Sequence, residues 1–316
     1  MRFKKITMIG YSKGDLGEVQ EKRLAKLGTE IVMLPKNSKD ITKHLLTTDC
    51  LLVKLGASID KATIDAAPKL KYIGMLGTGH GRIDAAYATK KGTIICNIAG
   101  YSTEGVAELV FGLIIEHIRD LERAKSQARN GDYSEATFKG YEIKDKKFGV
   151  IGLGRIGQRV AEIALKGFDA KVSYWSKNRK KDSEKQGIAY QNIDALLTNS
   201  DFISINLAYV PQTEYFLNKQ RIRLIKPGAV VVNVAPMELV DINALEQRLK
   251  NGDITFILDH SDELSSTDAK RLAKYKNCIM YPPVGYITKE ATQAKLSMFV
   301  DNIANYLKGS PTNKVN

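Results

Sequence analysis

The run Val150-Ile151-Gly152-Leu153-Gly154-Arg155-Ile156-Gly157 constrains this chain more than any other feature. An apolar strand candidate, Phe148–Leu153, leads into it. An amphipathic helix candidate, Arg159–Lys166, follows. A G-x-G-x-x-G between strand and helix has a specific physical use. Gly152 permits a tight turn, Gly154 lets backbone approach a pyrophosphate, and Gly157 allows close helix–strand packing. The helix start, with Arg155 and Ile156, presents unpaired N–H groups and positive dipole to phosphate. The motif therefore predicts a nicotinamide dinucleotide site built from Gly152, Gly154, Arg155, Ile156 and Gly157.

The flanking pattern supports this. Strand candidates alternate with helices over the first hundred residues: Ile6–Gly10, Glu30–Leu34, Cys50–Leu55, Tyr72–Leu76 and Thr93–Ile98. Helical patterns lie at Glu18–Leu27, Ile41–Leu46, Lys61–Ala66 and Ile83–Lys90. Such alternation predicts a parallel sheet with helices on both faces. One long helix is predicted from about Thr103 to Ala128, with Ser102 or Thr103 as N-cap. A second alternation starts at Lys147, with strands at Phe148–Leu153, Val172–Trp175, Phe202–Leu207, Ala229–Val234, Thr255–Leu258 and Cys278–Tyr281. A final helix, Glu290–Leu307, has its own apolar face and is placed to pack back on the first domain. The expected fold class is α/β, with two doubly wound parallel-sheet domains.

Other classes are disfavoured. No apolar run approaches the roughly 20 residues of a membrane helix, and Met1–Gly10 reads as a strand and turn, not a signal peptide. Cys50, Cys96 and Cys278 are odd in number, far apart and set in apolar stretches. They read as reduced thiols of a cytoplasmic protein. His44, His80, His117 and His260 show no metal spacing, so no metal site is expected. The net charge of +13 favours anionic ligands. The basic residues are scattered and no nucleic-acid motif accompanies them, so a nucleic-acid partner is not expected.

The end of the second strand of a dinucleotide fold selects the cofactor. Here it reads Val172-Ser173-Tyr174-Trp175-Ser176-Lys177-Asn178-Arg179, without an acid at the turn. Ser176, Lys177 and Arg179 offer a hydroxyl and two cations to a 2′-phosphate. NADP(H) is expected to be preferred, with NAD(H) possible.

Several runs beyond the glycine motif carry a resemblance. They are Gly77-Thr78-Gly79-His80-Gly81-Arg82-Ile83-Asp84, Asn97–Glu108, Lys226-Pro227-Gly228-Ala229 to Asn233, Val240-Asp241, Ala244-Leu245 and Leu258-Asp259. Together the chain resembles the D-2-hydroxyacid dehydrogenases, in particular the glyoxylate/hydroxypyruvate reductase-like members. The resemblance implies two Rossmann/flavodoxin-like domains with a cleft between them, and a homodimer. It implies a substrate domain over 1–99 plus 289–316 and an inserted dinucleotide domain over 100–288. Thr103 and Asp259 become implied cofactor contacts, and a small 2-oxo or 2-hydroxy acid, or a related carbonyl compound, the implied substrate.

The family uses an Arg to clamp the substrate, a His to protonate its carbonyl oxygen and a Glu to hold that His. On the matching motifs Pro236 takes the Arg position, in Asn233-Val234-Ala235-Pro236-Met237. Pro283 takes the His position, in Pro282-Pro283-Val284-Gly285. The Glu register falls at Leu264, beside Glu263. Proline moves no proton, so the usual reaction is expected to be weak or absent. Candidates to replace it are Lys54, His80, His260, Glu263 and Tyr286, with Tyr101 also near the implied cleft. Two functions remain open: an NAD(P)-dependent oxidoreductase with a non-standard site, or a catalytically silent NAD(P)-binding sensor or assembly partner.

Overall fold

A computed structural model describes residues 1–54, 56–79 and 82–316. They form two units, Met1–Tyr101 with Lys289–Asn316, and Ser102–Thr288.

The first unit alternates strand and helix: β1 (Phe3–Ile9), α1 (Gly17–Ala25), β2 (Gly28–Leu34), α2 (Ile41–Leu45), β3 (Cys50–Lys54), α3 (Lys61–Asp65), β4 (Tyr72–Leu76), α4 (Ala85–Lys90) and β5 (Ile94–Cys96). The strands form a parallel sheet in the order β2-β1-β3-β4-β5. Its two faces bury separate apolar clusters, one around Ile6, Leu52 and Tyr72, the other around Leu51, Ile73 and Ile95. Nearly continuous apolar strands are what a sheet covered on both faces demands.

The second unit begins with two helices, α5 (Thr103–Arg119) and α6 (Leu121–Arg129). Here the sequence reading of one helix needs correcting. Asp120 takes a left-handed conformation, φ 52 and ψ 46, which ends α5. A short polar side chain is among the few that tolerate this region without being glycine. Ser102 is the N-cap of α5, without a capping hydrogen bond from its side chain.

The second alternation then runs β6 (Lys147–Ile151), α7 (Arg155–Gly167), β7 (Lys171–Trp175), α8 (Lys181–Lys185), β8 (Ala189–Tyr190), α9 (Ile193–Asn199) and β9 (Phe202–Ile205). It continues through α10 (Lys219–Leu224), β10 (Val230–Asn233), α11 (Ile242–Leu249), β11 (Thr255–Leu258), α12 (Ser266–Leu272) and β12 (Cys278–Met280). The seven strands are all parallel, in the order β12-β11-β10-β9-β6-β7-β8. The two-residue β8 had no sequence signal of its own. The order reverses between β6 and β9, and at such a point the loops diverge and leave a crevice beyond the strand ends. This is the expected α/β class, with two doubly wound parallel sheets.

The last helix, α13 (Lys289–Leu307), belongs to the first unit. Phe299 and Ile303 complete the cluster around Tyr72. Buried Asn302 donates to the Asn97 carbonyl (2.7 Å) and accepts from Thr312 and Asn313. The tail that follows lies along β5, with Val315 N–H on the Ile95 carbonyl (3.0 Å). Ile95 N–H is in turn taken by the Asn316 side chain (2.8 Å).

Candidate functional site

The glycine loop follows β6, beside the reversal point. Gly152 has φ +90, and a Cβ there would lie 2.9 Å from the Asn206 carbonyl oxygen. A Cβ on Gly157 would lie 1.9 Å from the Gly152 carbonyl oxygen, so only glycine fits. Around Gly154 nothing stands within 4 Å of an added Cβ. Two glycines thus tighten the turn while the middle one faces open space. Gly154 is also the N-cap of α7 and offers no side-chain cap to its first turn. Arg155 there is exposed and Ile156 half-buried. The arrangement suits an anion at the helix start. Beside it, at the end of β9, the Asn206 Oδ1 is buried without a hydrogen-bond partner. A polar atom in that state is costly unless a ligand or water meets it. Sequence reading missed Asn206; its one signal was a polar residue ending an apolar strand.

The end of β7 is tied to this loop, since Gly152 N–H donates to the Trp175 carbonyl (2.8 Å). Ser176 is buried and its hydroxyl donates to the Asn178 carbonyl (2.6 Å). Lys177 is exposed. Arg179 is committed elsewhere: it pairs with Glu184 of α8 through Nε (3.0 Å) and Nη2 (2.5 Å). Glu184 comes from the helix that follows the turn and also accepts from the Tyr174 hydroxyl (2.8 Å). Thr103, the first residue of α5, precedes Glu104, which pairs with Arg159 of α7 (2.8 Å).

The loops after β10, β11 and β12 form a second constellation. Asp259 is 1% exposed, and its Oδ1 accepts from Val284 N–H (3.0 Å) and Gly285 N–H (3.3 Å). Burial pushes its carboxyl above the usual range, against these two donors and His260. Asp259 thereby pins the loop that carries Pro283. Glu263 accepts from Met237 N–H (2.8 Å) and so pins the loop that carries Pro236. His260 stands among carboxylates: its Nε2 is 3.9 Å from Asp259, and its Nδ1 is 3.7 Å from Glu263 and 3.9 Å from Asp262. Tyr286 is in the same unit, on the exposed side of the Pro283 loop. Structure thus gathers Asp259, His260, Glu263, Pro236 and Pro283 into one loop cluster.

Lys54 and Tyr101 belong to the first unit. Lys54 ends β3 at that sheet's own reversal point, between β1 and β3. Its Nζ pairs with Asp15 (2.7 Å) and sits 5.0 Å from the Tyr11 ring centroid. The Lys54 partnership holds the Asp15 carboxyl below its usual range, helped by Ser12 N–H. Tyr101 packs against the cluster around Tyr72. His80 lies outside the described residues. His117 bonds Thr255 (3.1 Å), and burial lowers its pKa, which fits a structural role. The three cysteines are free and buried, and burial pushes the Cys278 thiol up to about 12. No described helix is long and apolar enough to cross a membrane.

Comparison with known proteins adds the chemistry. Residues 111–285 match the family model of the D-isomer specific 2-hydroxyacid dehydrogenase, NAD binding domain. A glyoxylate reductase of Thermococcus litoralis is 34% identical over 278 residues, covering 85% of this chain and 83% of the relative. The structure of an acyclic imino acid reductase in complex with NADPH and D-Arg is 29% identical, with a TM-score of 0.83 over 99% of this chain and 100% of that one. The D-lactate dehydrogenase from Aquifex aeolicus, complexed with NAD and lactic acid, shares the fold at a TM-score of 0.81 and 24% identity, over 96% of each chain. A reversal-point glycine loop with room at its centre, set in a chain that matches these proteins over most of its length, places it in the D-isomer specific 2-hydroxyacid dehydrogenase family.

Proposed function

We propose that this chain is an NAD(P)H-dependent reductase with a non-standard active site, whose substrate is a 2-imino acid and not the 2-oxo acid of its ordinary relatives. The observation that carries this reading is the sign of the charge around His260. Reduction of a carbonyl builds negative charge on oxygen, and the family meets it with an Arg and a His. On this reading Pro236 and Pro283 stand in their places. Loss of one oxyanion donor costs roughly 3–4 kcal/mol of barrier, and loss of a general acid roughly 10²–10⁴-fold in rate. What holds the two proline loops is Asp259 and Glu263, with His260 between them. That potential disfavours an oxyanion and favours a cation.

A protonated imine is such a cation. Its nitrogen already carries the proton that a carbonyl oxygen must receive. When bound, the reduced nicotinamide supplies a hydride; the electrons of the C=N bond become the lone pair of a neutral amine. The chain then has to bind, orient and exclude water, and proline can do all three. In this reading Asp259 and Glu263 fix the two proline loops and supply negative potential. Lys54, held by Asp15 in the first unit, stays a candidate for binding an anion there. Thr103, Gly152, Gly154, Arg155, Ile156, Gly157, Asn206 and Asp259 are the candidate cofactor contacts. Exposed Lys177 supports a preference for NADPH, and Arg179, which Glu184 shares, adds less to it. The solved imino acid reductase bound to NADPH supports the same reading. The glyoxylate reductase relatives support the 2-oxo acid instead. A homodimer, implied by the family, belongs to the proposal and is checked by light scattering.

The test is NADPH oxidation with a panel of 2-oxo acids, with and without ammonia at a pH that allows the imine to form. Turnover that requires ammonia, with an amino acid as product, is the expected result. Equal rates without ammonia would sink the imine reading. Tight cofactor binding with no turnover in either arm favours the silent binder.

A further inference from the structure

The loop that follows β7 is more elaborately built than a solvated basic turn requires. The Ser176 hydroxyl donates to the Asn178 carbonyl (2.6 Å), and Lys180 N–H donates to the Tyr174 hydroxyl (2.6 Å). That hydroxyl donates to Glu184 Oε1 (2.8 Å), which also takes Arg179 Nε (3.0 Å). The Arg179 guanidinium lies 5.0 Å from the Tyr190 ring centroid. This chain of bonds runs from a buried strand residue to a cation 59% exposed. It also fixes the Glu184 carboxylate between the Tyr174 hydroxyl and Arg179, although no acid occurs in the sequence from Ser176 to Lys180.

We infer that Glu184 is a specificity-determining residue that sets the ratio of NADPH to NADH affinity through its hold on Arg179. The inference rests on the dinucleotide site proposed above and deepens it. A 2′-phosphate arriving at this loop meets an Arg179 whose Nε and Nη2 are already engaged, with a carboxylate behind it. That carboxylate is ionised, since pairing with Arg179 first and the Tyr174 hydroxyl second holds it below its usual range. A ribose 2′-hydroxyl carries no charge and meets no such repulsion. Glu184 therefore lowers the advantage that Lys177 and Arg179 give to NADPH. The sign follows from charge: like charges repel, and a shared guanidinium is worth less to each anion.

The experiment is calorimetric titration of the full chain with NADPH and, separately, NADH. It compares wild type, Glu184→Gln, Arg179→Met and the double variant. Glu184→Gln is expected to raise the NADPH:NADH affinity ratio about tenfold, the worth of one hydrogen bond to a charged group. The rise should fall away in the Arg179→Met background and shrink at high salt. An unchanged or lower ratio in Glu184→Gln overturns the inference, as does the same rise without Arg179. Retained NADH binding reports that each variant is folded. If wild type holds both cofactors equally but Glu184→Gln prefers NADPH, the NADPH preference fails and this inference stands. If wild type binds neither dinucleotide, both fall.

Discussion

The loop after β6 and the loops after β10, β11 and β12 leave the same edge of one sheet, yet they are made in opposite ways. The first is shaped by backbone. Gly152 and Gly157 touch each other's turn, and Gly154 faces space. The second is shaped by side chains that spend themselves on backbone. Asp259 holds Val284 and Gly285, Glu263 holds Met237, and Asn233 folds over Ala235. The prolines between them offer no proton. A dinucleotide needs geometry, which backbone supplies. Proton transfer needs a titratable atom at one point, and on the proposed reading a proline ring stands there.

The comparison breaks most sharply at Gly157. Gly157→Ala would press a methyl against the Gly152 carbonyl oxygen at 1.9 Å. Dinucleotide binding is expected to disappear in titration, with a stability loss of about 3 kcal/mol or more in urea. Retained binding would show that the turn is softer than its geometry. Next in size is Pro236→Arg combined with Pro283→His. If only the acid and clamp are missing, 2-oxo acid reduction should rise roughly 10²-fold or more over wild type. No gain would mean that the carboxylates around His260, and not the prolines alone, set the chemistry.

A smaller effect tests the clamps. Glu263→Ala leaves Met237 N–H without its acceptor and should cost about 1–2 kcal/mol in chemical denaturation. Dinucleotide affinity should stay unchanged, because the glycine loop stands apart on the sheet. The smallest effect lies in the first unit. Asp15 has a lowered folded pKa, so its pairing with Lys54 stabilises above the unfolded value of about 3.9. That contribution is lost as pH falls through the folded value. The side chains are 33% and 42% exposed, so Asp15→Asn should cost under about 1 kcal/mol near neutral pH. The difference from wild type should vanish in acid. A constant difference across pH would assign the effect to the Ser12 turn instead.

Legibility followed the same division. Glycine spacing and the strand–helix alternation were readable because sterics and period leave a local trace. The break at Asp120 was not, since neither Gly nor Pro marks it and the conformation is one that aspartate merely tolerates. The first-domain helix predicted from Ile83 starts at Ala85, because Asp84 caps it through Tyr87 N–H. Glu184 was invisible as a partner of the turn. It comes from the next helix, and only the fold brings it to Arg179. Asp259 was found as a residue, but its hold on Val284 and Gly285 depends on two loops meeting.

The placement of α13 has a consequence for the order of assembly. Phe299 and Ile303 belong to the core of the first unit, but they are synthesised after residues 102–288. At roughly 5–20 residues per second that interval is on the order of 10–40 s. Throughout it the face around Tyr72 has Leu16 and Leu24 but lacks Phe299 and Ile303, while the glycine-loop unit between is continuous and free to fold. The cofactor half is thus the nascent chain's first finished object, and the other half is the one a chaperone has reason to hold.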